Sequence, residues 1–267
     1  PHNYSPRMKV TLRRALTVWL VRQRVGKAIT TRRYHREIVK MIRRHLRDRL
    51  SKAVADFNED DLTVFAMRAG HYSASRWNGM LTVLHSTIPA GRSLRRRELK
   101  LSRPPPPTQQ QFQSLLRECD QATRSHVGLV VDFLAHTGLR ITAARGVKWL
   151  DVHEDRIDYI SKGGRLCSVP IINGLRATLD RLQGVHDGSG YVLPRGAIKT
   201  ALGSACKRAG LRRLNHHDFR HLFITRCIES GVDVPTVARW VGHKDGGRLL
   251  SQRYFHLMDA HSRAMAE

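Results

Sequence analysis

Four short stretches of this 267-residue chain hold the side chains best suited to chemistry. In His136-Thr137-Gly138-Leu139-Arg140 an apolar run ends at a glycine, and an arginine stands just beyond it. Alone, such an arginine only complements the negative end of a helix. Lys162 lies between Ser161 and the pair Gly163-Gly164, and alone it reads as a solvated turn lysine. In Asn215-His216-His217-Asp218-Phe219-Arg220-His221, Asn215 is a helix cap. The i, i+3 spacing sets His217 and Arg220 on one face, within reach of a shared anion. Finally, Val241-Gly242-His243 is followed eleven residues later by Tyr254, which alone reads as a packing residue. The histidines have no H-E-x-x-H pattern or carboxylate cluster, so they do not read as a zinc site.

These groups need elements to hold them. Residues 8–50 read as two basic amphipathic helices, with Leu12, Leu16, Trp19 and Leu20 on one face of the first. Ile38, Met41, Ile42 and Leu46 do the same in the second. Asn58 with Glu59, Asp60 and Asp61 starts a third helix, and Ser73 or Ser75 starts a fourth bearing Trp77, Met80, Leu81 and Leu84. Pro89-Ala90-Gly91, the run Arg95-Arg96-Arg97 and the block Pro104 to Pro107 read as a basic, proline-rich linker over 89–107. It separates a helical domain, 1–88, from a second domain, 108–267. The second opens on a capping-box pattern, Thr108 to Gln111, and continues through two buried helices bearing Leu115, Leu116, Val127, Val130, Val131 and Leu134. Ile157 to Ile160 and Leu166 to Pro170 read as strands of a hairpin closed by the glycine pair, and helices follow to the end. The fold class is mainly α with a small β-hairpin.

Charge points to the partner. Lysine and arginine outnumber aspartate and glutamate by 47 to 22, giving +25. Residues 1–107 carry 24 bases and 7 acids (+17), against 23 and 15 (+8) in residues 108–267. Such an excess predicts attraction to a polyanion that weakens steeply with salt. Cys119, Cys167, Cys206 and Cys227 form no C-x-x-C pair, which fits a reducing compartment without a structural metal. The apolar run Ala15 to Val21 is too short for a signal sequence and is closed by Arg22 and Arg24, so a cytoplasmic, nucleoid-associated protein with no membrane partner is expected. The chain begins on Pro1 rather than Met, which leaves room for a preceding segment.

Taken together and in order, Arg140, Lys162, His217, Arg220, His243 and Tyr254 resemble the active-site set of the tyrosine recombinases, the phage-type integrases. In that family an arginine ends a T-G-L/M-R motif, a lysine lies on a hairpin and H-x-x-R opens a helix. A G-H then precedes a nucleophilic tyrosine, here in Tyr254-Phe255-His256. Gly146 to Trp149 with Asp151-Val152, and Gly231-Val232-Asp233 before Gly242-His243, are similar too. The resemblance covers residues 108–267, and the helical first domain is similar by pattern to the family's core-binding domain. Two features depart from the family. Ala143 stands where an acidic residue usually follows the first arginine by three positions, and the interval from His243 to Tyr254 is two residues longer than the commonest one.

The resemblance implies cleavage and rejoining of double-stranded DNA through a 3′-phosphotyrosine, without metal, cofactor or ATP. No Walker pattern is present. Arg140 and Arg220 suit the grip on phosphate oxygens, with His243 as a further donor. His217 is the expected base for Tyr254, and Lys162 the expected acid for the leaving 5′ oxygen. The resemblance further implies a homotetramer on two DNA sites, with residues 257–267 docking on a neighbour. It allows for accessory DNA-bending or directionality proteins and for an arm-binding domain ahead of residue 1. Competing readings are a type IB topoisomerase-like enzyme that relaxes DNA, and an inactive DNA-binding protein.

Overall fold

A computed structural model describes residues 9–99, 104–121, 126–185, 188–243, 245–248, 250–252 and 254. The chain divides into two compact units, Pro1–Arg103 and Pro104–Glu267.

The first unit is helical: α1 (Leu12–Arg22), α2 (Ile29–His45), α3 (Glu59–Ala69) and α4 (Ala74–Thr87). The apolar stripes decide the packing. Leu12 and Leu16 of α1, Ile38 and Ile42 of α2, Phe65 of α3, and Trp77, Met80 and Leu84 of α4 share one buried cluster. Asn58 caps α3, as the sequence predicts, and the structure adds that the cap is reciprocal with Asp61. Asp61 is buried and also accepts from Arg49 Nε (2.7 Å) and Lys52 Nζ (2.5 Å), tying the chain before α3 to its first turn. Ser73 is the residue preceding α4, which settles the choice left open there.

The expected linker over 89–107 is shorter than its composition suggests. Pro89–Ser93 forms a 3-10 helix, and Trp77 Nε1 donates to the Arg95 carbonyl at 3.0 Å. Asn78 pairs with both the backbone N–H and the carbonyl of Arg97 at 2.8 Å, and the Arg97 guanidinium lies over the Trp77 ring. Extended backbone finds its partners on α4 here, so it folds with the first unit. Pro107 is buried in the second unit, and Arg212 Nη2 donates to the Pro105 carbonyl at 3.1 Å.

The second unit contains α5 (Gln109–Asp120), α6 (His126–Thr137), α7 (Ile141–Ala144), β1 (Arg156–Ile160), β2 (Leu166–Pro170), α8 (Asn173–Gly184), α9 (Lys199–Arg208), α10 (His216–Glu229) and α11 (Val234–Trp240). Residues 250–252 and 254 are again helical. Helix α6 is apolar around almost its whole circumference and is correspondingly buried, with α5, α8 and α10 packed about it. Its one buried acid, Asp132, accepts from Thr178 of α8 at 2.7 Å and pairs with His136 one turn on. Strands β1 and β2 are antiparallel, Ile157 opposite Val169 and Ile160 opposite Leu166. Gly163 and Gly164 both take positive φ in the turn, which explains the glycine pair. Among the described residues no helix is long and apolar enough to cross a membrane.

Candidate active site

Arg220 is the centre of the site. It is 6% exposed, on α10, and its Nη1 donates to the Gly138 carbonyl at 2.8 Å. Gly138 follows α6 with φ of +61°, and a Cβ there would lie 2.4 Å from the Phe223 ring. Only glycine both adopts that backbone and leaves room for α10 to come so close. The glycine of the Thr137-Gly138-Leu139-Arg140 stretch thus turns a carbonyl toward one arginine and delivers the next. Arg140 is half-buried, as the extended residue before α7.

Arg220 Nη2 is buried without a hydrogen-bond partner among the described residues. Burial, and then the charge of Arg140, pull the Arg220 pKa down to about 10, while Tyr159 and Tyr254 act the other way. It remains charged at neutral pH. Two neighbouring guanidiniums, one desolvated with a donor to spare, form a site for an anion. Among the described residues no carboxylate is one of the groups that shift Arg220. The place where the family sets an acidic residue holds Ala143, packed against the core, so that position carries no charge to offset the pair.

The hairpin is held against the G-H turn by pairings that no local motif announces. The Tyr159 hydroxyl donates to the Trp240 carbonyl at 2.7 Å, and Arg165 Nη2 donates to the His243 carbonyl at 2.9 Å. Gly242, at φ of +65°, leaves no space for a Cβ, which would stand 2.9 Å from Ser161 Cβ and 3.0 Å from the Tyr159 oxygen. Lys162 is exposed at the hairpin tip, and His243 is half-buried with Nδ1 3.7 Å from Asp245. The longer interval before Tyr254 is taken up in a turn where Gly246 and Gly247 have positive φ and Arg248 N–H bonds the Asp245 carbonyl.

Asn215 caps α10 as predicted, accepting from the His217 N–H and pairing with Asp218. His217 and Arg220 share a helix face but differ in depth: His217 is exposed beside the His216 ring, whereas Arg220 lies one turn deeper under the Gly138 turn. Tyr254 is 2% exposed, and its hydroxyl is 2.5 Å from His221 Nδ1. The base expected from the sequence is His217. The imidazole found on the phenol belongs to His221, four residues further along the same helix. The available signal was its position beside Arg220 and at i+4 from His217. His256 and residues 257–267 lie outside the described residues.

The sequence profile of the phage integrase family matches residues 107–261, more than half of the chain. The chain belongs to the phage integrase family. A tyrosine recombinase XerC from Staphylococcus carnosus is 26% identical over 171 residues, 53% of this chain and 57% of its own length. The chain spans about half the length of the curated relatives it matches. A lambda integrase dimer bound to a COC′ core site superposes with a TM-score of 0.75 at 18% identity, covering 92% of this chain and 77% of that one. The Tn1549 transposon integrase in complex with circular intermediate DNA gives 0.72 at 16%, covering 97% and 99%. At such identities the structural likeness establishes the integrase fold, mainly helical with a small hairpin.

Proposed function

We propose that this integrase-family chain is a site-specific DNA recombinase that cuts and rejoins duplex DNA through a phosphotyrosine at Tyr254. One observation carries the reading: a buried Arg220 whose Nη2 has no partner among the described residues, beside Arg140 and within electrostatic reach of Tyr254. A phosphodiester gathers charge on its non-bridging oxygens during attack. Arg140 and Arg220 would bind those oxygens through paired N–H donors, and removing one such donor typically raises a barrier by about 2.7–4 kcal/mol. His243, and His217 at the mouth of α10, would donate from the solvent side. Tyr254 Oη would form the bond to phosphorus while the bond to the 5′ oxygen breaks. Lys162, carried on the exposed hairpin turn, would give that oxygen its proton. The phosphotyrosine conserves the energy of the broken ester, so a 5′-hydroxyl from another strand can reverse the step.

DNA would be held largely through its phosphates. In the first unit Arg33, Lys40 and Arg44 of α2 and Arg76 of α4 line a groove with Tyr34 and Tyr72, a suitable basic and aromatic surface for the duplex. The assembly implied by the family, four subunits across two DNA sites, and a role for accessory DNA-bending proteins belong to the same proposal.

The test is covalent trapping. Wild type and Tyr254→Phe are offered nicked duplexes with randomised cores, and SDS-resistant, protease-sensitive adducts are counted and sequenced. Adducts from wild type alone support the reading; equal adducts from both proteins refute Tyr254 as nucleophile. Relaxation of supercoiled DNA with no preferred sequence would favour the topoisomerase-like alternative.

A further inference from the structure

Tyr254 must lose a proton to become a nucleophile, and a phenol with a pKa of roughly 10 does not do so unaided at neutral pH. Water is poorly placed to take it, because the residue is 2% exposed. Geometry therefore restricts the acceptor to groups already within hydrogen-bond reach of the hydroxyl. His221 meets that requirement: Nδ1 is 2.5 Å from the phenol oxygen, and the two rings meet edge to face at 5.2 Å between centroids.

We infer that His221 is the catalytic base of the strand-cleavage step, accepting the Tyr254 proton on Nδ1. The inference rests on the reading of Tyr254 as the nucleophile. A phenol that donates to Nδ1 requires the tautomer with hydrogen on Nε2. Thr225 Oγ1, one turn further along α10, lies 3.4 Å from Nδ1, beside the same imidazole edge. The neighbouring residue Arg220 points to the Gly138 turn, while His221 points to Tyr254. Adjacent positions on one helix, about 100° apart, thus serve the phosphate and the nucleophile separately.

The step balances. The phenol O–H bond breaks and an N–H bond forms on Nδ1, giving an imidazolium, as Oη bonds phosphorus. The ester bond to the 5′ oxygen breaks, and that oxygen takes a proton from Lys162. In rejoining, the 5′-hydroxyl returns its proton to Lys162 and the departing phenolate recovers one from His221.

The test uses the full chain and the randomised nicked duplexes, with DNA binding measured in parallel. His221→Ala should bind DNA as wild type does yet form adducts about 100-fold more slowly, within the range ordinary for a lost general base. Added imidazole should restore a measurable part of the lost rate, because it supplies a base of matched pKa. His221→Gln keeps an acceptor for the hydroxyl but cannot take its proton, so it should be as slow as the alanine variant. A 5′-bridging phosphorothiolate, whose sulfur leaves without protonation, should rescue Lys162→Ala but neither His221 variant. Independently, the Nδ1 nitrogen resonance of His221 should move in DNA-free Tyr254→Phe.

Wild-type rates in both His221 variants overturn this inference while leaving Tyr254 as nucleophile. A slow alanine variant that imidazole does not rescue, or a fully active Gln variant, reduces His221 to a positioning residue and overturns the proton transfer. An unmoved Nδ1 resonance in Tyr254→Phe removes the hydrogen bond on which the inference stands. Adducts that persist in Tyr254→Phe, or none from wild type, overturn the proposed function and this inference together.

Discussion

Replacing Arg220 by methionine should make the second unit more stable while abolishing strand cleavage. The fall of the Arg220 pKa from the ordinary guanidinium value to about 10 corresponds, at ~1.36 kcal/mol per pH unit, to roughly 3 kcal/mol for keeping the charge in a buried site. Methionine retains most of the aliphatic stem and has no N–H to leave unpaired. It also removes the donor to the Gly138 carbonyl, a loss of about 1–2 kcal/mol if that oxygen is left without a partner. The difference predicts a net gain of about 1–2 kcal/mol. Amide exchange in α6, at the centre of the second unit's core, reports the opening of that unit; protection should rise about five- to thirty-fold. Because the folded-state pKa is lowered, the penalty is fully present below pH about 10 and disappears as pH rises from there toward the unfolded value. Urea midpoints of wild type and variant should therefore converge above pH about 10. An Arg220→Met protein that opens more readily than wild type by over ~1 kcal/mol would show that the guanidinium is net stabilising, and the account of a desolvated, anion-seeking arginine would fail.

Three further outcomes follow from particular residues. Gly138→Ala should lower stability by at least about 2 kcal/mol, since it combines a positive φ with a Cβ 2.4 Å from the Phe223 ring; an unchanged melting temperature would contradict it. In the first unit, burial raises the Asp61 pKa, but the hydrogen bonds from Lys52, the Asn58 backbone and Arg49 outweigh it and leave the carboxyl below 3.8. Its stabilisation is thus present above that value and is lost as pH falls through the lowered one. Asp61→Asn should cost about 1–3 kcal/mol at pH 7 and progressively less below pH about 4, read from acid unfolding curves. Alanine at Arg33 or Lys40 should lower the slope of log affinity against log salt by about 0.9 for each phosphate that the variant no longer neutralises; slopes equal to wild type would move the duplex off the α2–α4 groove.

Much of the fold was legible because its signals are local. The stripes of α1 to α4, the reciprocal caps at Asn58, Thr108 and Asn215, and the glycine pair of the hairpin are each written within a few residues. Their physical causes, side-chain period, orphan N–H groups and positive φ, act over the same range. The sequence alone also determined the charge surplus, and the types and order of Arg140, Lys162, His217, Arg220, His243 and Tyr254. Composition misled at 89–97, where a basic, proline-led segment found hydrogen-bond partners on α4 and joined the first unit. Tertiary structure alone decided how deep each of the six residues sits. Arg220 meets the Gly138 carbonyl across 82 residues, Tyr159 meets Trp240 across 81, and Tyr254 meets His221 across 33. No local pattern records such pairs, because they arise only when α6, α10, the hairpin and the C-terminal helical residues close on a common core. That same packing removes water from Arg220 and Tyr254, and with it sets the electrostatics on which their chemistry depends.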